Sequence, residues 1–209
     1  MEENRQFQEM LGAAEKKLEG MSAQEIAERG GLAFDAAKNM FSFESFGRRV
    51  QVSYPDLTLD CEVDMWMHLT ILQYMAEADG HPLASEWISL SDLQVGGLVR
   101  GASFDRENDA LIQRGIGKLD PDILRGAGRK MGAVEIPSRA DLSLQFYFMP
   151  KFPCLLNLWF ADEEFPAAGK VLCDRAAEHY LKVEAAGTVA GLLLQELEKL
   201  CSADGGGNG

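Results

Sequence analysis

No stretch of this 209-residue chain reaches the roughly 18 consecutive apolar residues that a membrane-spanning helix needs. Membrane insertion is therefore not expected. The opening residues, MEENRQFQEM, lack the basic and apolar regions of a signal peptide. A cytoplasmic location is the expectation. Basic charge is also short: 20 Lys and Arg face 33 Asp and Glu, giving a net charge of −13 and a pI near 4.7. Such a surface repels phosphate backbones, so nucleic acid is excluded as a partner of the whole molecule. Cysteine is sparse. Cys61, Cys154, Cys173 and Cys201 form no C-x-x-C pair, which removes zinc ribbons and iron–sulfur binding loops from consideration. Three of the four sit inside apolar patterns and read as buried, reduced thiols. No phosphate-binding glycine motif, no H-E-x-x-H helix and no internal repeat is present.

Apolar residues make up 46% of the chain, enough for an ordinary folded core. Phe7, Met10, Leu11, Ala14 and Leu18 share one face at helical spacing over residues 3–19. Ser22-x-x-Glu25 is a capping box for a short helix ended by Gly30–Gly31. The period then changes to two. Phe41 and Phe43, then Val50 to Tyr54, then Leu57 to Val63, alternate with polar neighbours and predict a three-stranded meander. Met65, Leu69, Leu72 and Ala76 restore a helical stripe, with Asp64 as N-cap and Gly80 at its close. Trp87–Leu90 reads as a short extended piece. Ser103 and Asp120–Pro121 read as further helix starts.

The stretch DLSLQFYFMPKFPCLLNLWFADEEFP, Asp141 to Pro166, reads as a β-hairpin forming the spine of the core. Its second run is apolar on both faces apart from Asn157, which suggests a central strand covered on two sides. Pro166 is placed to start a helix over 167–183, and Thr188 to cap a last one. Helices flank strands without regular βαβ alternation. The fold class is therefore α+β, with a mostly antiparallel sheet (N-terminal meander plus C-terminal hairpin) packed with helices. One globular domain over 1–201 and a flexible tail over 202–209 are expected.

Candidate chemistry concentrates at the hairpin exit. Asp162, Glu163 and Glu164 either bind a hard cation, or supply an acid or base, or simply cap the expected helix. His179, on a predicted stripe with Leu172, Ala176 and Val183, is either a core residue or a ligand and proton shuttle facing the same cavity. Glu163, Glu164 and His179 are thus the candidate catalytic group, with Tyr180 as a neighbouring hydroxyl. His68 stands four residues after Asp64 on one helix face, and Asp162 with His68 is the candidate metal pair. His81, in a turn after Gly80, ranks lowest of the three histidines. Asp141 reads as a strand-edge residue before a site acid. Arg129 and Lys130, in the locally basic segment 100–139, either end a helix or face an anionic ligand. Trp159 and the other aromatic and Met side chains either pack the core or line a pocket for a flat ligand.

A further set of residues carries a family likeness. Ile71-Leu72-Gln73-Tyr74, Gly80, Pro82-Leu83, Glu86-Trp87, Met149-Pro150-x-Phe152-Pro153, Trp159 to Ala167 and Tyr180-Leu181 together resemble the family called domain of unknown function 3786. The likeness spans about residues 25–200. It implies an anaerobic bacterial or archaeal setting. Some members of that family carry an added four-cysteine iron–sulfur domain of the kind seen in corrinoid proteins, and this chain lacks that motif. The resemblance supplies no catalytic residues. Its implied function is an accessory protein that binds a small anionic ligand or cofactor, a metal ion or a tetrapyrrole such as a corrinoid among them. An enzyme with a carboxylate/His site, acid-base or metal-dependent, and an interaction module docking a partner protein are the alternatives.

Overall fold

The computed structural model describes residues 2–205, and the side chains of residues 5–203. The chain opens on helix α1 (Glu2–Glu19), whose buried Phe7, Ala14 and Leu18 face inward. Phe7 meets Trp66 edge-on at 5.5 Å, docking α1 on α3 (Met65–Glu77). Helix α2 (Ala23–Gly30) is capped as its sequence predicts. The Ser22 hydroxyl accepts the Glu25 N–H at 3.2 Å, and Gly31 takes the left-handed conformation at φ 66°. Asp64 caps α3 by accepting the Trp66 N–H at 2.8 Å.

A three-stranded antiparallel sheet comprises β1 (Ala33–Asp35), β2 (Met40–Ser45) and β3 (Arg48–Ser53). It corrects the expected meander. Leu57 to Val63 is not a strand and makes only one bridge, Val52 to Leu59. There the ladder gives way to side chains: the Asp60 carboxylate accepts the Gln51 N–H at 2.8 Å, and Leu57 adopts φ 55°. The β2–β3 turn places Phe46 and Gly47 at φ 47° and 72°, both left-handed, as a tight hairpin requires. Phe46 tolerates this because its ring is buried against Phe148 and its N–H donates to the Tyr147 carbonyl at 2.8 Å. This turn plugs the small sheet into the large one.

The large sheet has strand order β4-β8-β7-β6-β5, antiparallel throughout: β4 (Trp87–Ile88), β5 (Val134–Glu135), β6 (Leu142–Met149), β7 (Phe152–Trp159) and β8 (Ala168–Asp174). The β6–β7 hairpin is the one the sequence predicts. Its Leu144, Phe146, Cys154 and Leu156 are buried; α5 (Pro121–Lys130) packs on β6 and α4 (Ala102–Arg114) on β8, and α6 (Val183–Gly205) packs on both helices. Close approach is built in. A Cβ on Gly128 of α5 would come within 2.9 Å of Leu144, and one on Gly169 within 2.8 Å of Ile112.

The segment after Pro166 departs from expectation. Residues 168–174 form strand β8, and 175–179 a 3₁₀ turn, in place of one helix over 167–183. Val171 and Cys173 are buried while Lys170 is exposed, an alternation of period two. Helix α6 begins at Val183 rather than at Thr188, whose hydroxyl donates to the Glu184 carbonyl inside the helix at 3.0 Å. It continues through Gly205, into the region expected as a tail, while residues 206–209 lie outside the described residues. With helices and two antiparallel sheets, the fold is α+β. No described helix is long and apolar enough to cross a membrane.

Candidate functional site

The end of β8 and the loop after α3 build one polar cluster. Asp174, the last residue of β8, is 3% exposed. Its Oδ1 accepts the N–H groups of Ala84 and Ala176 at 2.9 and 2.8 Å, and its Oδ2 that of Ser85 at 2.7 Å. One carboxylate thus fastens the 81–86 loop to the 175–179 turn. Each segment delivers a histidine. The His81 and His179 rings stack with centroids 3.7 Å apart and planes 3° from parallel.

Asp79 sits at the base of this stack. Its Oδ2 lies 2.7 Å from His179 Nδ1, and its Oδ1 accepts the His81 backbone N–H at 2.9 Å. Partial burial raises the Asp79 pKa. The His179 hydrogen bond, the His81 N–H and the two imidazoles outweigh that, and hold it below the usual carboxylate range. The Asp79 N–H also donates to the His179 carbonyl at 3.2 Å. Tyr180 completes the base. Its hydroxyl donates to the His81 carbonyl, and its ring stacks on Tyr74 at 5.5 Å. Burial, then the charges of Asp79 and Asp174, push the Tyr180 hydroxyl up to about 12, so it stays a donor at neutral pH. Tyr74 in turn donates to the Gly30 carbonyl at 2.8 Å and accepts the Lys151 N–H at 3.0 Å.

The histidine pair opens on a groove of about 380 Å³ lined also by Gln94, Val95, Arg175 and Glu178. Arg175 is clamped by both oxygens of Glu86, at 2.5 and 2.7 Å. The His81 ring makes no hydrogen bond among the described residues. His81 lines this groove with an exposed ring whose nitrogens are not engaged by the described residues.

Of the residues singled out in the sequence, the structure gathers His179 and Tyr180 here. Asp162, Glu163 and Glu164 lie on the exposed β7–β8 loop, at the other end of β8. Seven strand residues separate that loop from the His179 turn, a span of roughly 20 Å. The Asp162 carboxylate accepts the N–H groups of Glu164 and Phe165 at 2.8 and 2.7 Å. Those bonds, Phe165 first, hold its pKa low. It closes a turn rather than capping a helix. Arg129 and Lys130 end α5 beside β5, at the opposite sheet edge from β4. The His179 turn follows β8, three strand spacings or about 14 Å across the sheet from β5. Trp159 lines a separate groove of about 340 Å³ with Asp105, Asp109 and Lys170. His68 lies on α3, and its buried Nε2 has no hydrogen-bond partner.

His81 ranks lowest of the histidines in the sequence, and Asp79 is not among the residues singled out there. Asp79-Gly80-His81 does carry a signal: an Asp two residues ahead of a turn His is placed to accept its N–H. Nothing in the sequence ties that turn to His179, a hundred residues later.

A shared metal ion does not fit the stack. Ring lone pairs lie in the ring planes, and parallel planes do not converge on one ion at the 2.0–2.1 Å of a metal–imidazole bond. Among the described residues no group of three or more His, Cys, Asp or Glu side chains is arranged to hold a metal.

The sequence model of the family described as "Domain of unknown function (DUF3786)" matches residues 22–196. Every residue of the histidine cluster falls inside that span. No curated protein matches the chain. No solved structure matches it either.

Proposed function

The chain belongs to the DUF3786 family, and on that footing we propose that it is a binding protein for a small anionic ligand, held at the His81–His179 groove. The observation that carries this reading is the stacked pair itself. Asp79 fixes one imidazole at 2.7 Å, while the other keeps its ring nitrogens unspent at the mouth of a groove. A pair oriented this way offers N–H donors to a carboxylate or phosphate oxygen, with Arg175 on the rim. The reading includes the accessory role and anaerobic setting that the family resemblance implies. In it Arg129 and Lys130 serve as a remote basic edge and not as ligand contacts.

An enzymatic reading draws on the same dyad. A carboxylate hydrogen-bonded to an imidazole is the arrangement that orients a general base, with His179 as base and Asp79 as its orienting partner. Glu163 and Glu164 have no part in it, given their place at the far end of β8.

A thermal-shift panel of organic acids, nucleotides, folates and corrinoids tests the binding reading. A ligand that binds the folded state raises the midpoint in step with RT ln(1 + [L]/Kd). The expected result is a shift from at least one anion, lost in both His81→Ala and His179→Ala. Shifts unaffected by either substitution, or none from any anion, would sink the reading.

A further inference from the structure

The histidine groove does not end at the histidines. Val95 and Glu178 also line a second groove, of about 610 Å³, floored by Leu181, Lys182 and Val183 at the start of α6. Apolar surface predominates in it. Its outer wall is the flap Gln94 to Gly101, a π-helical turn entered through Gly96 at φ 80°. A Cβ on Gly96 would come within 2.8 Å of Val183, so the flap lies directly on the α6 N-terminus. Two contacts pin it there. The Val95 N–H donates to Glu178 at 2.8 Å, and Arg100 pairs with Glu184 at 2.7 Å.

The flap is unusual in what it exposes. Val95, Leu98 and Val99 are 77%, 88% and 79% exposed within five residues. Single exposed apolar side chains need no explanation, but a contiguous group beside a groove does. The acids around that groove are already engaged: Glu77 by Lys17 at 2.9 Å, Glu178 by the flap N–H, Glu184 by Arg100. Lys182 faces the same Glu77 at 4.0 Å, so the cations along the trough stand against its carboxylates, and the imidazole pair lies at one end. A mainly apolar trough whose charges face one another, with an imidazole pair at one end, matches an amphiphile with an anionic head.

We propose that the ligand is a carboxylate with a linear apolar chain, its head at His81 and His179 and its chain between the flap valines and Leu181–Val183. This deepens the binding reading above and rests on it. The flap then acts as a cover, hiding Val95 and Val99 against the chain.

The test uses sodium butyrate, sodium octanoate and 1-octanol as probes of the intact chain, with affinities from calorimetry. Each added methylene is expected to tighten binding about fourfold. Octanoate should therefore bind about two hundredfold tighter than butyrate, and tighter than octanol. Val99→Asp, on the exposed flap, should bring octanoate close to butyrate. His81→Ala should bring octanoate close to octanol. Equal binding of butyrate and octanoate, lost in His81→Ala, would overturn the chain groove and leave the head-group site standing. Equal binding of octanol and octanoate, unchanged in His81→Ala, would overturn the head-group site itself. No binding of any probe would overturn both.

Discussion

Replacing Asp174 by Asn tests whether the site depends on a single buried carboxylate. Both Asp174 oxygens are used: Oδ1 by Ala84 and Ala176, Oδ2 by Ser85. An amide keeps one oxygen. If that oxygen stays with Ala84 and Ala176, the new NH₂ faces the Ser85 N–H, donor against donor. A lost hydrogen bond costs about 1 kcal/mol, and leaving the donor without a partner adds about 1 kcal/mol more. Ser85 is exposed, so water relieves part of the second term and the total is about 1.5 kcal/mol. In a chain of this size that lowers the melting midpoint by roughly 4–5 °C. The local consequence is larger than the global one. Ser85 sits at φ 56°, a left-handed position for a non-glycine residue, and its bond to Asp174 helps hold it there. Without that bond the 81–86 loop loosens next to His81, whose own backbone is still held by Asp79 and Tyr180. Urea unfolding measures the first effect; amide hydrogen exchange at Ala84 and Ser85 measures the second. An Asn variant within about 0.3 kcal/mol of wild type, with those amides unchanged, would refute the assignment of Asp174 as the clasp.

Three further outcomes follow from the same geometry. Tyr74→Phe orphans the Gly30 carbonyl and the Lys151 N–H, and should cost about 2–3 kcal/mol in urea unfolding; a loss below about 0.5 kcal/mol, the limit of a neutral surface change, would contradict the bonds. Because its folded pKa is depressed, Asp79 contributes stability that is present above the ordinary carboxylate range and lost as pH falls through its lowered value. Side-chain exposure limits this to roughly 0.5 kcal/mol. Carboxyl NMR should find Asp79 titrating below that range, and higher in His179→Ala; an unmoved value would remove His179 as the partner. Native protein should react with a thiol reagent at Cys61 alone among Cys61, Cys154 and Cys173. Cys61 is exposed, whereas burial shields the other two and pushes Cys173 up to about 12. Mass spectrometry locates the label, and rapid modification of Cys154 or Cys173 would show that β7 and β8 open.

The legible parts of the fold are those with local causes. Ser22, Asp64 and Asp120 each satisfy amides two or three residues on, so caps can be read from the sequence. The β6–β7 hairpin shows because alternation and a two-residue break suffice to define it. Residues 167–183 misled for a physical reason. Short alanine-rich text fits helix and strand alike, and the choice of strand is made by pairing with β7, which lies outside the segment. The meander failed similarly: Leu57 to Val63 alternates, but Asp60 takes the ladder position with its side chain.

The same distinction governs the site. His179 and Tyr180 stood out because they lie in an apolar context, but their partners come from residues 74–81, about a hundred positions away. No spacing rule reaches that far. The acidic run 162–164 had the opposite fault. It is conspicuous in sequence because three carboxylates are adjacent, yet all three lie exposed on the β7–β8 loop. Neighbouring residues on a loop point in different directions, and Asp162 turns back to bind its own chain. A site that joins Asp79, His81, His179 and Tyr180 therefore depends on β8 crossing from the acidic loop to the α3 exit, with Asp174 fixed at its end. Displacing that strand end should disturb the histidine stack before it disturbs the core, because the stack hangs on the end of β8 through Asp174, the Arg175–Glu86 clamp and the short β4 pairing, while the hairpin is anchored along its full length.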